Sequence, residues 1–144
     1  MHNINGGVLP ALLTPMDADG KFLPAALEKL CSALYTTPID GLYVCGQTGE
    51  GLQQPLEQRK QVVEVAVRST PAGKHVMAHI GALSTADAIE LAKHAENAGA
   101  HSISSLPPSG SYSIDEVHGY YAAIAASTAP TATRSRTAAS TRST

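Results

Sequence analysis

The sequence predicts an α/β fold in which four consecutive βα units share one parallel sheet. Between residues 8 and 124, short apolar runs alternate with longer segments whose apolar residues recur at helical spacing. Each apolar run is followed by a turn that contains glycine, proline or serine. Because a connection from one strand through a helix to a parallel strand is almost always right-handed, the four units are expected to lie side by side.

The first unit is predicted to begin with a strand over residues 8–13, which Thr14 and Pro15 end. Its helix carries four leucines on one face, namely Leu23, Leu27, Leu30 and Leu34. The second unit is predicted to have a strand over residues 42–45 and a helix with Pro55 near its first turn. The apolar residues expected to face inward in that helix are Leu56, Val63 and Val67.

The third unit has the clearest boundaries. A strand is predicted over residues 75–80 and is followed by a helix that begins at Ser84. Asp87 lies three residues later, as in a capping box, and Gly99 is placed to end the helix in a left-handed conformation. The predicted buried stripe consists of Ala88, Leu91, Ala92 and Ala95.

The fourth unit is predicted to have a strand over residues 102–106. Its helix begins at Ser113, with Glu116 as the reciprocal partner of a capping box. The residues that this helix is expected to bury are Ile114, Val117, Tyr121 and Ile124.

The character of the sequence changes after the fourth unit. Residues 125–144 contain only Ala, Ser, Thr, Arg and a single Pro. Such a segment cannot bury enough apolar surface to offset roughly 1–2 kcal/mol of backbone entropy per ordered residue. We therefore predict one folded domain over residues 1–126 and a disordered tail over residues 127–144.

Composition argues against several classes of function. The net charge is -2 with acidic and basic residues interspersed, so neither nucleic acid nor a membrane surface is predicted as a partner. No apolar stretch approaches the roughly 18 residues that cross a bilayer. Cys31 and Cys45 are predicted to be buried thiols in a reducing compartment, and a cytoplasmic location is expected. His94, His101 and His118 share no metal-like spacing, so no metal or cofactor is predicted.

A glycine-rich turn after the second predicted strand carries the candidate binding residues. Loops at the carboxyl ends of parallel strands line the active sites of α/β proteins, so this turn is expected at the mouth of a site. Its glycines permit close backbone approach, and its consecutive N–H groups and hydroxyl suit a carboxylate. The candidate residues are Gly46, Gln47, Thr48 and Gly49. A glycine turn before a helix is more often only a turn, so the motif needs its context.

Three motifs in order supply that context. Residues 11–15 read Ala-Leu-Leu-Thr-Pro, residues 46–50 read Gly-Gln-Thr-Gly-Glu, and residues 106–108 read Leu-Pro-Pro. Their order and spacing resemble the pyruvate-dependent Schiff-base aldolases of the N-acetylneuraminate lyase and dihydrodipicolinate synthase family. That family usually reads Gly-Thr-Thr-Gly-Glu or Gly-Ser-Thr-Gly-Glu at the central motif. The resemblance covers residues 6–127, and residues 78–88 and 103–108 look closer to the lyase side.

The resemblance implies the N-terminal half of a (β/α)8 TIM barrel, in a family that usually assembles as a homotetramer. It also implies that a lysine on the sixth strand forms an imine with pyruvate or another 2-oxo acid, and that a tyrosine on the fifth strand relays protons. Neither strand is predicted here, so no catalytic residue is assigned and the chain is expected to be inactive alone. By carry-over, Thr48 would hold the substrate carboxylate.

The chain departs from the family pattern at several positions. Gln47 replaces a hydroxyl that helps the proton relay, and an amide cannot pass a proton in the same way. Aromatic residues often follow the proline of the third motif, where this chain has residues 108–110, and Tyr112 is too near the predicted helix to replace them. His79 could line a pocket, but we expect it to be a buried histidine that is hydrogen-bonded to the backbone. The lysines not expected to form an imine are Lys60, Lys74 and Lys93.

The tail gains a second interpretation from the resemblance. The family has a Leu-Pro followed by an apolar strand, where this chain has Ala129 and Pro130 followed by threonines and arginines. A frameshift would produce this pattern, and sequencing the parent locus tests the hypothesis. A natural flexible tail is the alternative.

Three functions from different classes follow. The first is a fragment of an N-acetylneuraminate lyase-like aldolase, which would cleave sialic acid to pyruvate and N-acetylmannosamine. A fragment of a 4-hydroxy-tetrahydrodipicolinate synthase is the alternative within the same family. The second is a non-catalytic half-barrel that pairs with a homologue through its open strand edges. The third is an unrelated phosphate-binding module, which the absence of a P-loop lysine and of a GxGxxG motif disfavours.

Overall fold

The computed structural model describes residues 7–128 of the chain. Its elements are α1 (Pro24–Leu34), β1 (Gly41–Val44), α2 (Leu56–Arg68), β2 (His75–His79), α3 (Thr85–Asn97), β3 (Ser102–Ser104) and α4 (Ile114–Ser127), with a short 3-10 turn (Gly51–Gln53) before α2. The strands form a parallel sheet in the order β1-β2-β3. The predicted α/β fold with parallel strands is confirmed.

The first predicted strand, residues 8–13, is not a regular strand. The segment runs beside β1 and forms one isolated parallel bridge, between Ala11 and Tyr43. The Tyr43 N–H donates to the Pro10 carbonyl (3.0 Å), and the Leu12 N–H donates to the Tyr43 carbonyl (2.8 Å). Pro10 faces β1 but has no N–H group to donate, so the ladder is interrupted at that point. The prediction of four full strands is therefore wrong at its first member.

The second predicted strand is shifted by one residue, and the third and fourth are shorter than predicted. β1 ends at Val44 because Cys45 has a φ of 58°, which is left-handed and cannot continue a strand. β2 ends one residue early at His79, and β3 ends at Ser104, two residues before the predicted end. The segments that follow these strand ends lie at the carboxyl end of the sheet, where the glycine-rich turn was predicted.

The two faces of the sheet differ in burial. The register pairs Leu42 with Val76 and Val44 with Ala78, and all four are 0–1% exposed within the hydrophobic core against the helices. The alternate residues point to the opposite face, which these helices do not cover. The half-buried residues there include Tyr43, His75 and Met77. The described residues therefore form one layer of helices on one side of a three-stranded sheet.

The helices α1, α2 and α3 agree with their predicted faces. In α3, all four predicted alanine and leucine positions are buried, and Gly99 after the helix has a φ of 91°, as predicted. The Ser84 hydroxyl accepts the Asp87 N–H (3.0 Å), which is one half of the predicted capping box. In α1 and α2, Leu27 and Val63 are buried, and the other predicted residues of these helices are partly buried against the core. The exception is Leu23, which lies just before α1 and is 40% exposed.

Helix α4 has the predicted start but a different buried face. Ser113 and Glu116 form the complete capping box. Ile124 is buried as predicted, but Ile114 is 88% exposed and Tyr121 is 38% exposed, so these two predictions are wrong. The buried tyrosine is Tyr120, whose hydroxyl meets the Ser105 hydroxyl and the Ala82 N–H.

The predicted tail is largely outside the described residues. Helix α4 extends to Ser127, one residue into the predicted tail, and residues 129–144 are not described. Within residues 7–128, no helix is both long and apolar enough to cross a membrane.

Candidate functional site

The glycine-rich turn lies at the carboxyl end of the sheet, directly after β1. Gln47 and Thr48 are exposed at its tip, and Gly46 and Gly49 are buried beneath them. All four predicted site residues therefore lie together in one turn, with the two polar side chains facing solvent.

The turn leaves a row of main-chain donors free. The Glu50 N–H donates to the Gln47 carbonyl and the Gly51 N–H donates to the Gly46 carbonyl, both at 3.0 Å. Within the described part of the chain, the N–H groups of Gln47, Thr48 and Gly49 meet no acceptor, and the Thr48 hydroxyl has no partner. Consecutive unpaired N–H groups beside a hydroxyl form a site for a small anion.

The carbonyl of Gly49 anchors the turn from below. It accepts a hydrogen bond from the buried Thr14 hydroxyl (2.7 Å) and another from the buried Gln54 side-chain amide (2.6 Å). A Cβ atom at Gly49 would lie 2.8 Å from the Leu12 carbonyl oxygen, so only glycine fits here. Thr14 thus ties the first strand-like segment to the turn, a contact that the first motif of the sequence did not reveal.

Two residues in left-handed conformation bracket the turn. Cys45 has a φ of 58° and Glu50 has a φ of 53°, although neither is glycine or asparagine. A Cβ atom at Gly51 would overlap the carbonyl group of Cys45, so the chain passes itself closely where the turn closes. Non-glycine residues in this region cost of order 1–3 kcal/mol each, and such residues concentrate at functional sites.

Beside the turn, the ends of β2 and β3 form a shallow, mainly apolar depression that is partly open to solvent. It is lined by Leu52, His79, Gly81, Ala82, Leu83, Leu106, Pro107, Pro108 and Ser109. Leu52, Leu83 and Leu106 are each more than half exposed. No phenylalanine, tyrosine or tryptophan is among these lining residues, in keeping with the predicted departure from the family pattern.

His79 lies at the base of this depression. Its side chain is 5% exposed, and Nε2 accepts the N–H of Leu106 (3.3 Å). Burial, and to a smaller extent the nearby guanidinium of Arg59, lower the pKa of His79 to about 4. The preferred interpretation, a buried neutral histidine bonded to the backbone, is confirmed, although the ring also lines the depression.

A hydroxyl cluster lies next to the depression. The Tyr120 hydroxyl is 3.0 Å from the Ser105 hydroxyl and accepts the Ala82 N–H (3.3 Å). The Tyr121 hydroxyl donates to the Ser105 carbonyl (3.1 Å). These bonds attach α4 to the ends of β2 and β3, so the tyrosines hold the rim together.

Arg59 is a buried residue at this rim that the sequence reasoning missed. It is 3% exposed, and its guanidinium donates to the main-chain carbonyls of His79 (2.8 Å) and Gly81 (2.9 Å). A signal was present, because Arg59 lies three and four residues before Val62 and Val63, on the buried face of α2.

The three lysines that were considered as imine formers lie away from the turn. Lys60 is held between Glu57 and Glu90, both at 2.6 Å, and these hydrogen bonds raise its pKa. Its side chain is 15% exposed, so it is less solvated than predicted. Lys74 donates to the Ile39 carbonyl at the opposite end of the sheet, and Lys93 is exposed on α3. An imine requires a neutral amine, which the environment of Lys60 opposes.

Both cysteines are free thiols in the core, as predicted. Burial raises the pKa of Cys31 and that of Cys45 to about 11. No group of three or more histidine, cysteine, aspartate or glutamate side chains within residues 7–128 is arranged to hold a metal ion.

Comparison with known proteins agrees with the geometry. The chain is 38% identical over 119 residues to N-acetylneuraminate lyase from Shigella boydii, a match that covers 82% of this chain and 40% of the relative. It superposes on N-acetylneuraminate lyase from Mycoplasma synoviae with a TM-score of 0.80 and 31% identity, over 85% of this chain and 43% of that one. A prophage protein of the dihydrodipicolinic acid synthase family from E. coli K12, solved with pyruvate, gives a TM-score of 0.82 and 28% identity over 87% and 42%.

The chain spans about 40% of the length of the curated relatives that it matches. Its parallel strands and four helices correspond to the N-terminal part of the TIM barrel in these structures. Residues 5–133 match the model of the Dihydrodipicolinate synthetase family, which is most of the chain. By that match, this chain belongs to the Dihydrodipicolinate synthetase family.

Proposed function

We propose that this chain provides the carboxylate-binding part of a pyruvate-handling, imine-forming aldolase. Of the activities in the family, that of an N-acetylneuraminate lyase is preferred. The observation that carries the proposal is the row of free N–H groups at Gln47, Thr48 and Gly49 beside the Thr48 hydroxyl. These donors point to an anion, and their place at the carboxyl edge of a parallel sheet is where α/β enzymes bind substrates.

The proposed ligand is a small 2-oxo acid, pyruvate or sialic acid, held by its carboxylate. Thr48 would donate to the carboxylate through its N–H and its hydroxyl. Gln47 would donate through its N–H, but its amide cannot relay a proton as a hydroxyl would. The imine-forming lysine and the relay tyrosine would belong to strands that are not among residues 7–128, so this chain alone is proposed to bind 2-oxo acids and not to turn them over.

The lyase is preferred to the synthase for one reason. Curated relatives from several enterobacteria carry the lyase name, at 37–38% identity. Family members of both kinds share this half of the fold, so a dihydrodipicolinate synthase activity of the full protein is the alternative. A homo-oligomer and a cytoplasmic location are proposed for the full protein by the same resemblance.

The carboxylate site is tested by titrating pyruvate into the ¹⁵N-labelled chain of 144 residues. We expect chemical-shift changes at the amides of Gln47, Thr48 and Gly49, with no comparable change in α4. Thr48→Val should weaken binding, since it removes the hydroxyl and keeps the shape of the side chain. Ser32→Val, on the exposed surface of α1, is the control. Methyl pyruvate, which has no carboxylate, should leave the three amides unshifted, and equal shifts with the ester would refute the site.

The absence of chemistry is tested by mass spectrometry after incubation with pyruvate and borohydride. No covalent adduct is expected, because Lys74 is bonded to the Ile39 carbonyl and Lys60 is paired with Glu57 and Glu90. An adduct on any lysine would show that imine formation does not need the missing strands, and this part of the proposal would then be wrong.

A second candidate function is a half-barrel that pairs with a homologue. The uncovered face of the sheet, with Tyr43, His75 and Met77 half-buried, favours it, as does the free outer edge of β3. Size-exclusion chromatography with light scattering distinguishes the two. A monomer that unfolds cooperatively would contradict pairing, and a stable oligomer that is lost on mutation of the strand edge would support it.

A further inference from the structure

Arg59 is a buried cation that the proposed function does not use. It lies in the first turn of α2 and is 3% exposed, and burial lowers its pKa. Within residues 7–128 it has no carboxylate partner in an ion pair. Its acceptors are two main-chain carbonyls, those of His79 and Gly81. Burying a charge without an opposite charge is costly, so the residue needs a reason beyond filling space.

The carbonyls that Arg59 binds are those at which β2 ends. Where a strand stops, its carbonyl groups lose their partners in the ladder and need other donors. The guanidinium presents two parallel N–H donors in a rigid fork, which suits carbonyls two residues apart. The chain is tight at this point, because a Cβ atom on Gly81 would lie 2.8 Å from the His79 ring.

The same residue also touches the end of β1. The Cys45 thiol lies 3.7 Å from the Arg59 carbonyl and donates to it. Cys45 is the left-handed residue from which the glycine turn starts, and α2 is the helix into which the turn leads. Arg59 therefore joins the beginning of the turn, the helix that follows it and the end of the neighbouring strand.

We propose that Arg59 is a positioning residue that sets the orientation of the anion-binding turn, residues 46–50, relative to the ends of β1 and β2. It does so by holding the first turn of α2 against the carbonyls at the end of β2. The ligand of that turn rests on the proposed function, but the positioning itself does not. An apolar residue of similar length would fill the same space and would leave both carbonyls unpaired.

The test compares Arg59→Met and Arg59→Lys with Arg68→Met. Arg68 is a matched control, because it lies at the other end of α2 in an exposed ion pair with Glu28. The first measurement is amide hydrogen exchange at Glu50 and Gly51, whose N–H groups close the turn. Arg59→Met should accelerate exchange there by about tenfold more than in α3, because the opening is local. Arg59→Lys should fall between, and Arg68→Met should match the parent chain.

The outcomes separate a positioning role from a merely structural one. If Arg59→Met accelerates exchange in α3 and in the turn by the same factor, Arg59 serves only global stability and the proposal is refuted. An unchanged turn in a folded variant refutes it as well. If Arg59→Met does not fold, the same comparison of turn and α3 in Arg59→Lys decides.

A second measurement connects the proposal to ligand binding. Arg59→Met should weaken the binding of pyruvate, measured from the shifts at Gln47 and Thr48, by about fivefold or more. Arg68→Met should leave this binding unchanged. If the parent chain shows no such shifts, the proposed function fails, and hydrogen exchange still decides the role of Arg59. If pyruvate binds Arg59→Met as well as it binds the parent, the orientation of the turn does not depend on Arg59 and the proposal is overturned.

Discussion

Lowering the pH from 7 to 4 should destabilise the chain through His79. The ring is almost completely buried, Nε2 accepts the Leu106 N–H, and a hydrogen bond with the Cys45 main chain only partly offsets the cost of charging the ring. A proton added to this ring would place a second positive charge beside Arg59. Burial and, to a smaller extent, Arg59 therefore lower the pKa of His79 from its ordinary value of 6.5 to about 4.

The sign and size of the effect follow from proton linkage. Between pH 6.5 and 4 the unfolded chain binds a proton at this site and the folded chain does not, so the free energy of unfolding falls as the pH falls. The contribution is complete above pH 6.5. Each pH unit within the window costs about 1.36 kcal/mol, which gives a total loss of about 3 kcal/mol by pH 4.

Urea unfolding at several pH values between 7 and 4, on the parent chain and on His79→Gln, measures this contribution. Glutamine can still accept the Leu106 N–H but does not titrate, so the parent should lose about 2–3 kcal/mol more than the variant over this range. His118→Gln, at an exposed position on α4, is the control and should keep the pH dependence of the parent. Identical pH dependence in the parent and in His79→Gln would refute the reasoning, since His79 would then titrate normally in the folded chain.

Three substitutions test the core, the closure of the turn and the helix start, and a fourth serves as a control, each measured by its urea midpoint. Leu27→Ala should cost about 2–5 kcal/mol because Leu27 is fully buried, and a cost under 1 kcal/mol would contradict the described core. Gly51→Ala should destabilise strongly because its methyl group would overlap the Cys45 carbonyl, whereas Gly119→Ala, with open space around it in α4, should stabilise by about 0.5–1 kcal/mol. Ser113→Ala should cost about 1 kcal/mol by removing the cap of α4, and an unchanged midpoint would exclude that cap.

The sequence predicted those features that depend on local periodicity. The stripe of α3 and its glycine end were correct because one apolar face and one left-handed residue define such a helix without reference to the rest of the chain. Helix α4 was harder, because Tyr120 and Tyr121 are equally apolar by pattern. The choice between them depends on hydroxyl contacts with Ser105 and Ala82, which come from other elements.

The remaining features depend on partners far away along the chain. Arg59 was missed because charged residues are usually exposed, and its burial depends on carbonyls about twenty residues away. The first strand was predicted to be regular because an apolar run does not reveal which N–H groups must bond to a neighbouring strand. Pro10 faces β1 and has no N–H group to donate. The turn at Gly46 and Gly49 was located correctly, but its anchoring by Thr14 could not be seen in the sequence.

The contacts that anchor the glycine-rich turn bear on where carboxylate binding and imine formation would take place in this fold. The Gly49 carbonyl is held by Thr14 and Gln54, and the start of α2 is held by Arg59, so these three anchoring contacts lie within residues 14–81. Under the proposed function, the donors for a carboxylate would therefore be arranged by contacts within the described residues. Lys60 and Lys74 are engaged with other groups, so carboxylate recognition and imine formation would belong to separate parts of the barrel. A chain with this turn alone should recognise pyruvate by its charge and leave its carbonyl unreacted.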